Sequence, residues 1–265
     1  CKTVAIFAAG LEQFSFESKP WTEFQRLGGT FENIGSNARA AKIEISHSHL
    51  DGLGAFYFFE QVYVAKTSTE TLRLTEDFIQ VKDAFVIRHT FTKKKSSQTQ
   101  SEQTITQIFL KSLFEAFTFL NHESIGFVVN VLDSISDQNL WGNGIVIDTF
   151  KGENLHSLTQ LPKKTWKRVI SMRAIKTLNA MKNQHPVNQI DSLLISSVGN
   201  LDALPWAKPL DPSNFLIAST PVDAKVGNLI FWSRNGIQGL TVCAPAEHWL
   251  NKDWALVVGV WKGAL

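Results

Sequence analysis

Two cysteines, Cys1 and Cys243, are all the thiol that this chain of 265 residues carries. So few exclude a disulfide framework and a thiolate zinc site, and they point weakly to a reducing, cytoplasmic setting. Charge of one sign is lacking as well. The 26 Lys and Arg stand against 24 Asp and Glu, a formal net charge of +2, too close to balance to imply a nucleic-acid partner. No apolar run approaches the roughly 18 residues that a membrane-crossing helix needs, so no membrane partner is expected. The first residue is Cys rather than Met, and no residue nearby supports an N-terminal nucleophile or a lipid anchor. The expectation is a trimmed chain or a fragment.

Aromatic residues are plentiful. Nineteen Phe and eight Trp accompany a 44% hydrophobic composition, enough for a sizeable core or an apolar ligand tunnel. Against this background the stretch Ile43-Glu44-Ile45-Ser46-His47-Ser48-His49-Leu50-Asp51-Gly52-Leu53-Gly54 stands out. Ala41, Ile43 and Ile45 alternate with Lys42, Glu44 and Ser46, the period of a half-buried strand. The strand runs into two histidines, an aspartate and two glycines, a composition suited to a tight turn. Apolar residues resume at Ala55-Phe56-Tyr57-Phe58-Phe59, which read as a helix or a second strand. Two chemistries fit the turn: an HxxxDG pattern through His47 and Asp51, or an HxHxDG pattern through His47, His49 and Asp51, which resembles a dinuclear metal-hydrolase motif with Gly52 in place of its last histidine. A third reading leaves two turn histidines with no chemistry.

Along the chain, residues 2–8 read as a strand, and 11–40 as mixed, interrupted by Pro20 and by Gly28, Gly29 and Gly35. Residues 66–83 read as a polar crossing segment and 84–91 as a strand of β-branched and aromatic residues. Lys93–Gln103 has the composition of a surface loop. Thr104 is placed to cap a helix over 104–120, whose apolar residues recur at helical spacing. Strands follow at 126–132 and 145–150, a helix with interleaved basic residues at 163–182, and strands at 193–197, 215–219, 229–232, 240–244 and 254–260. Gly236 and Gly239 punctuate a hairpin. The alternation predicts an α/β chain rather than a sandwich.

The order of these segments resembles the second half of a BAHD or condensation-domain HxxxD acyltransferase. HxxxDG is followed by a crossover, a strand and a helix, and then by a Gly-Asn pair, Gly142-Asn143, that opens a further strand. Phe215–Pro221 followed by Asp223 and Gly227 resembles the strand and DFGWG loop of that family, with the middle of the loop lost. The resemblance covers residues 41–261. It implies a chloramphenicol-acetyltransferase-like mixed sheet with flanking helices and a truncated first lobe. Residues 1–92 would form a partial first lobe, 93–103 a linker and 104–265 a second lobe. A second chain or an N-terminal segment would complete the first lobe.

The resemblance also implies a function: transfer of an acyl group from a CoA thioester to a hydroxyl or amine of a small, specialised-metabolite acceptor. No cofactor would be bound and no metal needed. His47 would act as the base, Asp51 would hold the turn, and Ser219 or Thr220 would hydrogen-bond the oxyanion. Gly52, Gly54, Asp223 and Gly227 would line the substrate. A non-catalytic protein on the same fold is the alternative, and the metal hydrolase is the second. The arginine that in this family follows the strand at 126–131 is replaced by Leu132. Asp51 is therefore expected to pair with another cation, from Lys167, Arg168, Arg173, Arg88 or Arg234, and Asp51→Asn to cost about 3–5 kcal/mol.

Overall fold

A computed structural model describes residues 2–7, 9, 11–34, 40–64, 78–81, 84–92, 104–130, 141–142, 145–182, 193–200, 215–219, 226–234 and 237–245. The expected strand at 254–260, the polar loop at 93–103 and the site candidates Thr220 and Asp223 lie outside these residues.

The chain opens with β1 (Lys2–Phe7), α1 (Lys19–Arg26), β2 (Thr30–Ile34) and β3 (Ala40–Ser46), and continues into α2 (Gly52–Val62). Pro20 does not break α1. It sits in the first turn, where a backbone N–H has no helical partner to lose, and the Ser18 hydroxyl accepts the Trp21 N–H. Of the two readings of residues 55–62, the helix is the one adopted. Its residues Ala55, Phe56, Phe58, Phe59 and Val62 are buried and fall on one broad face of α2, while Tyr57, Glu60 and Gln61 on the other side are partly or fully exposed.

Next come β4 (Phe78–Val81), β5 (Ala84–Thr92) and α3 (Ile105–Ala116). Thr104 caps α3 as expected. Its hydroxyl accepts the Gln107 N–H, and the Gln107 side chain accepts the Thr104 N–H in return, a reciprocal capping box. The predicted helix to residue 120 stops at Phe117, and a short 3₁₀ turn at Thr118–His122 completes it. Then follow β6 (Ser124–Asn130), β7 (Ile145–Lys151), α4 (Gly152–Thr159), α5 (Lys163–Lys182), β8 (Leu193–Asn200), β9 (Phe215–Ser219), β10 (Gly227–Arg234) and β11 (Ile237–Pro245).

The strands form two sheets. The smaller has the order β2-β3-β1-β9 and is antiparallel throughout. The larger has the order β4-β5-β11-β10-β8-β6-β7, with β8 parallel to both β10 and β6 and the other pairs antiparallel. Chain order does not follow sheet order: β5 belongs to the larger sheet, and β9 returns to the smaller one. Each sheet has its own core. One gathers Phe109, Phe114, Phe127, Trp166, Phe231 and their neighbours beneath α3, α4 and α5. The other gathers Trp21, Phe24, Ile43, Ile45 and the aromatic residues of α2. Consecutive residues of β10 serve different cores, Phe231 the first and Trp232 the second, because side chains alternate across a strand. Gly239 faces Trp232 in the hairpin register, and a Cβ there would collide with the indole ring. The glycine is required by this close approach within β11, not by the turn.

α5 is fixed to β7 by a buried carboxylate. Asp148 accepts from Arg173 Nε at 2.9 Å and from the Thr177 hydroxyl at 3.1 Å. A second Arg173 nitrogen donates to the Thr149 carbonyl at 3.2 Å. The guanidinium also lies 4.1 Å from the centre of the Phe150 ring. Among the described residues no helix is long and apolar enough to cross a membrane.

Candidate functional site

The histidine turn forms where β3 ends. Ser46 is the last strand residue, and its carbonyl accepts from the His49 and Leu50 N–H groups at 2.9 and 3.2 Å. The chain is thereby reversed within four residues. Asp51 then starts α2. It adopts an extended backbone, and its Oδ1 accepts the Gly54 N–H at 2.7 Å. The two glycines of the motif are thus the first and third residues of a helix, and the aspartate is its N-cap.

The turn is held from two sides by segments distant in sequence. From one side comes β1, whose Thr3 lies beside Ile45 in the sheet. Thr3 is buried, and its hydroxyl oxygen lies 2.7 Å from His47 Nδ1 and also contacts the Leu50 carbonyl. From the other side, Leu50 forms a parallel bridge with Gly142, and the Gly142 N–H donates to the His49 carbonyl at 2.8 Å. Gly142 has a φ of 130°, a left-handed backbone that a side chain would resist. Trp141 carries this segment into the second core, with its ring 6.0 Å from that of Phe58.

Burial governs the electrostatics here. It pushes the His47 imidazole below its ordinary value, and the Asp51 charge pulls back in the other direction. Burial also pushes the Asp51 carboxyl upward, against hydrogen bonds from the Gly54 and Leu53 N–H groups and the attraction of His47. The cation expected beside Asp51 is not among the ion pairs of the described residues. Arg173, one of the candidates, is committed to Asp148. The side chains of Arg88 and Arg234 lie outside the description. Asp51 works as a helix cap because its carboxylate sits one residue before α2, where backbone N–H groups are free to donate.

The structure brings together His47, Asp51, Gly52 and Gly54 in one turn. Ser219 lies close to it along the backbone: β9 pairs with β1 so that Ser219 faces Thr3, which on its other side faces Ile45. The strand ends expected to supply the base and the oxyanion donor therefore lie at the same end of the smaller sheet, on either side of β1. Gly227 begins β10 in the larger sheet, in register with Leu193. His49 contributes its backbone carbonyl to the Gly142 contact. Among the described residues no three His, Cys, Asp or Glu side chains gather closely enough to hold a metal ion. Thr3 was missed in the sequence. Its only signal was a hydroxyl on a strand otherwise apolar from Val4 to Phe7.

No family model matches the chain, and no curated protein matches it. Solved structures do. The starter condensation domain of rhizomide synthetase RzmA superimposes with a TM-score of 0.52 at 9% identity, covering 99% of this chain and 88% of that one. A double mutant of the same domain gives 0.51 at 10% identity, over 99% and 88% of the two chains. The fold is α/β, a chloramphenicol-acetyltransferase-like arrangement of one mixed and one antiparallel sheet with flanking helices.

Proposed function

We propose that the protein is an acyltransferase that moves an acyl group from a CoA thioester to a hydroxyl or amine of a small acceptor. The reading is carried by the placement of His47: a half-buried imidazole at a strand end, whose charged form burial disfavours and whose Nδ1 is held by a buried hydroxyl. A neutral, oriented imidazole is what a general base requires. The likeness of fold to a condensation domain supports the same class of chemistry without fixing it.

His47 takes the proton of the acceptor O–H or N–H as the acceptor's lone pair bonds to the thioester carbonyl carbon. The tetrahedral adduct then collapses, the carbon–sulfur bond breaks, and the proton leaves with the departing thiolate. Ser219 and Thr220 are assigned the developing oxyanion. Asp51 fixes the turn as the cap of α2, and Gly52, Gly54, Asp223 and Gly227 are assigned to the substrate walls. Acyl-CoA is a co-substrate, and no cofactor is bound.

The test is release of free thiol from a panel of acyl-CoA donors with alcohol and amine acceptors. His47→Ala should abolish turnover, a loss of about 10²–10⁴, and His49→Ala should be mild. Equal losses from both, together with inactivation by a chelator, would favour the metal-hydrolase reading instead. One observation favours a second reading, a repurposed protein on the same fold: among the ion pairs of the described residues none joins Asp51 to a Lys or Arg, and its carboxylate accepts the Gly54 N–H instead. Absence of turnover with every donor would select it.

A further inference from the structure

The geometry around His47 points to a role for Thr3, which no motif marks: we infer that the Thr3 hydroxyl fixes the tautomer of His47 and is the positioning residue of the site. The argument is one of proton counting. The Thr3 oxygen contacts two groups, the Leu50 carbonyl and His47 Nδ1 at 2.7 Å. A hydroxyl carries a single proton, and a backbone carbonyl can only accept. The Thr3 proton therefore lies on the Leu50 side, and the Thr3 oxygen must accept from His47, so Nδ1 carries the proton. If Nδ1 were bare, either it or the Leu50 oxygen would face the Thr3 oxygen with no proton between them. With Nδ1 protonated, the neutral ring has its lone pair at Nε2, and Nε2 is the atom left to receive a proton.

The anchor is rigid. Thr3 is 1% exposed, and its backbone is paired on both sides, to Ile45 of β3 and Ser219 of β9. The Leu50 carbonyl is fixed in turn, since Leu50 bridges Gly142 and the neighbouring His49 carbonyl accepts the Gly142 N–H at 2.8 Å. Three distant segments thus meet on one imidazole: β1 supplies the hydroxyl, the turn after β3 supplies the ring, and Trp141-Gly142 steadies the carbonyl that orients the hydroxyl. When His47 gains a proton at Nε2, the Nδ1–H···Thr3 hydrogen bond persists and becomes charge-assisted. Thr3 therefore supports both protonation states without moving. Its burial keeps it away from substrate.

The catalytic half of this inference rests on His47 being the base, whereas the structural half does not, and the experiment separates the two. The nitrogen resonances of His47 in ¹⁵N-labelled protein report which ring nitrogen carries the proton. At a pH where the ring is neutral, the wild-type protein should show a protonated Nδ1 and a bare Nε2. Thr3→Val, of nearly equal volume, should shift the population toward protonated Nε2, and Thr3→Ser should restore the wild-type pattern. If the base is His47, kcat/KM should fall about tenfold in Thr3→Val, the scale of one hydrogen bond, with KM little changed and the loss recovered in Thr3→Ser. A wild-type ring protonated at Nε2, or a Thr3→Val ring with its tautomer unchanged, would overturn the inference. Should Thr3→Val not fold, a wild-type ring protonated at Nε2 still overturns the inference. Lack of turnover with every acyl donor, alongside a wild-type ring protonated at Nδ1, would remove the acyltransferase reading and leave the role of Thr3 standing.

Discussion

At the scale of single residues, the pH behaviour of the site follows from burial. The His47 imidazole binds its proton less readily in the folded protein than in the unfolded chain, whose value is near the ordinary 6.5. Its stabilising contribution is therefore present above 6.5 and is lost as pH falls from there through the lowered native value. The acid limb of a kcat/KM profile should accordingly have its midpoint below 6.5, which a profile between pH 4 and 8 checks. Asp51 pulls the histidine upward, so Asp51→Asn should move that midpoint lower still. Its effect on stability is a different matter. Asp51 is the cap of α2, and Asn caps about as well as Asp. Asp51→Asn should change unfolding free energy by less than about 1 kcal/mol, while Asp51→Ala should lose ~0.5–2 kcal/mol with the cap. Denaturant titrations of the two variants compare them directly.

Among the elements, α5 shows how a charge read from sequence can be directed elsewhere. Its Arg173 was a candidate partner for Asp51, and the fold gives it to Asp148 of β7. The Asp148 side chain is 7% exposed and that of Arg173 is 44% exposed, so the pair is dry on one side only. Breaking a fully buried pair costs ~3–5 kcal/mol. Arg173→Ala should cost less, about 2–3 kcal/mol, because Thr177 still donates to the carboxylate at 3.1 Å. Removing Thr177 as well should cost more than the sum of the two single losses, since the carboxylate would then be buried without either donor. A double-mutant cycle by thermal unfolding measures this.

For the whole molecule, β10 is where the two cores meet. Phe231→Ala and Trp232→Ala should each cost about 3–5 kcal/mol, as large-to-small changes in packed cores do. Their functional signatures should differ. Trp232 belongs to the core that includes Leu50 and the aromatic residues of α2, so its loss should disturb the His47 resonances, while Phe231→Ala should leave them in place. Gly239→Ala meets the indole of Trp232 and should resemble Trp232→Ala in its effect on the turn. Backbone and imidazole chemical shifts of the three variants make the comparison.

The sequence by itself determined many of the elements and the local shape of the turn, though not β4, which lies in the segment read as a polar crossing, nor α4. Alternation over residues 41–46, the Thr104 cap and the spacing of α3 are interactions between near neighbours, and near neighbours are legible in a linear pattern. The reversal at His47–Leu50 and the helix start after Asp51 are local in the same sense, since a strand end, an N-cap and two glycines suffice for them. Only the tertiary structure decided which distant groups complete the site. Thr3 reaches His47 across 44 residues of chain and Arg173 reaches Asp148 across 25. β9 comes to lie beside β1 only because the chain leaves the larger sheet after β8 and returns at β10. Such pairings depend on strand order and register, which follow from how whole faces are buried against one another. A threonine in an apolar strand looks the same whether it faces a carbonyl, a histidine or water. It became the partner of His47 when β1 was inserted between β3 and β9.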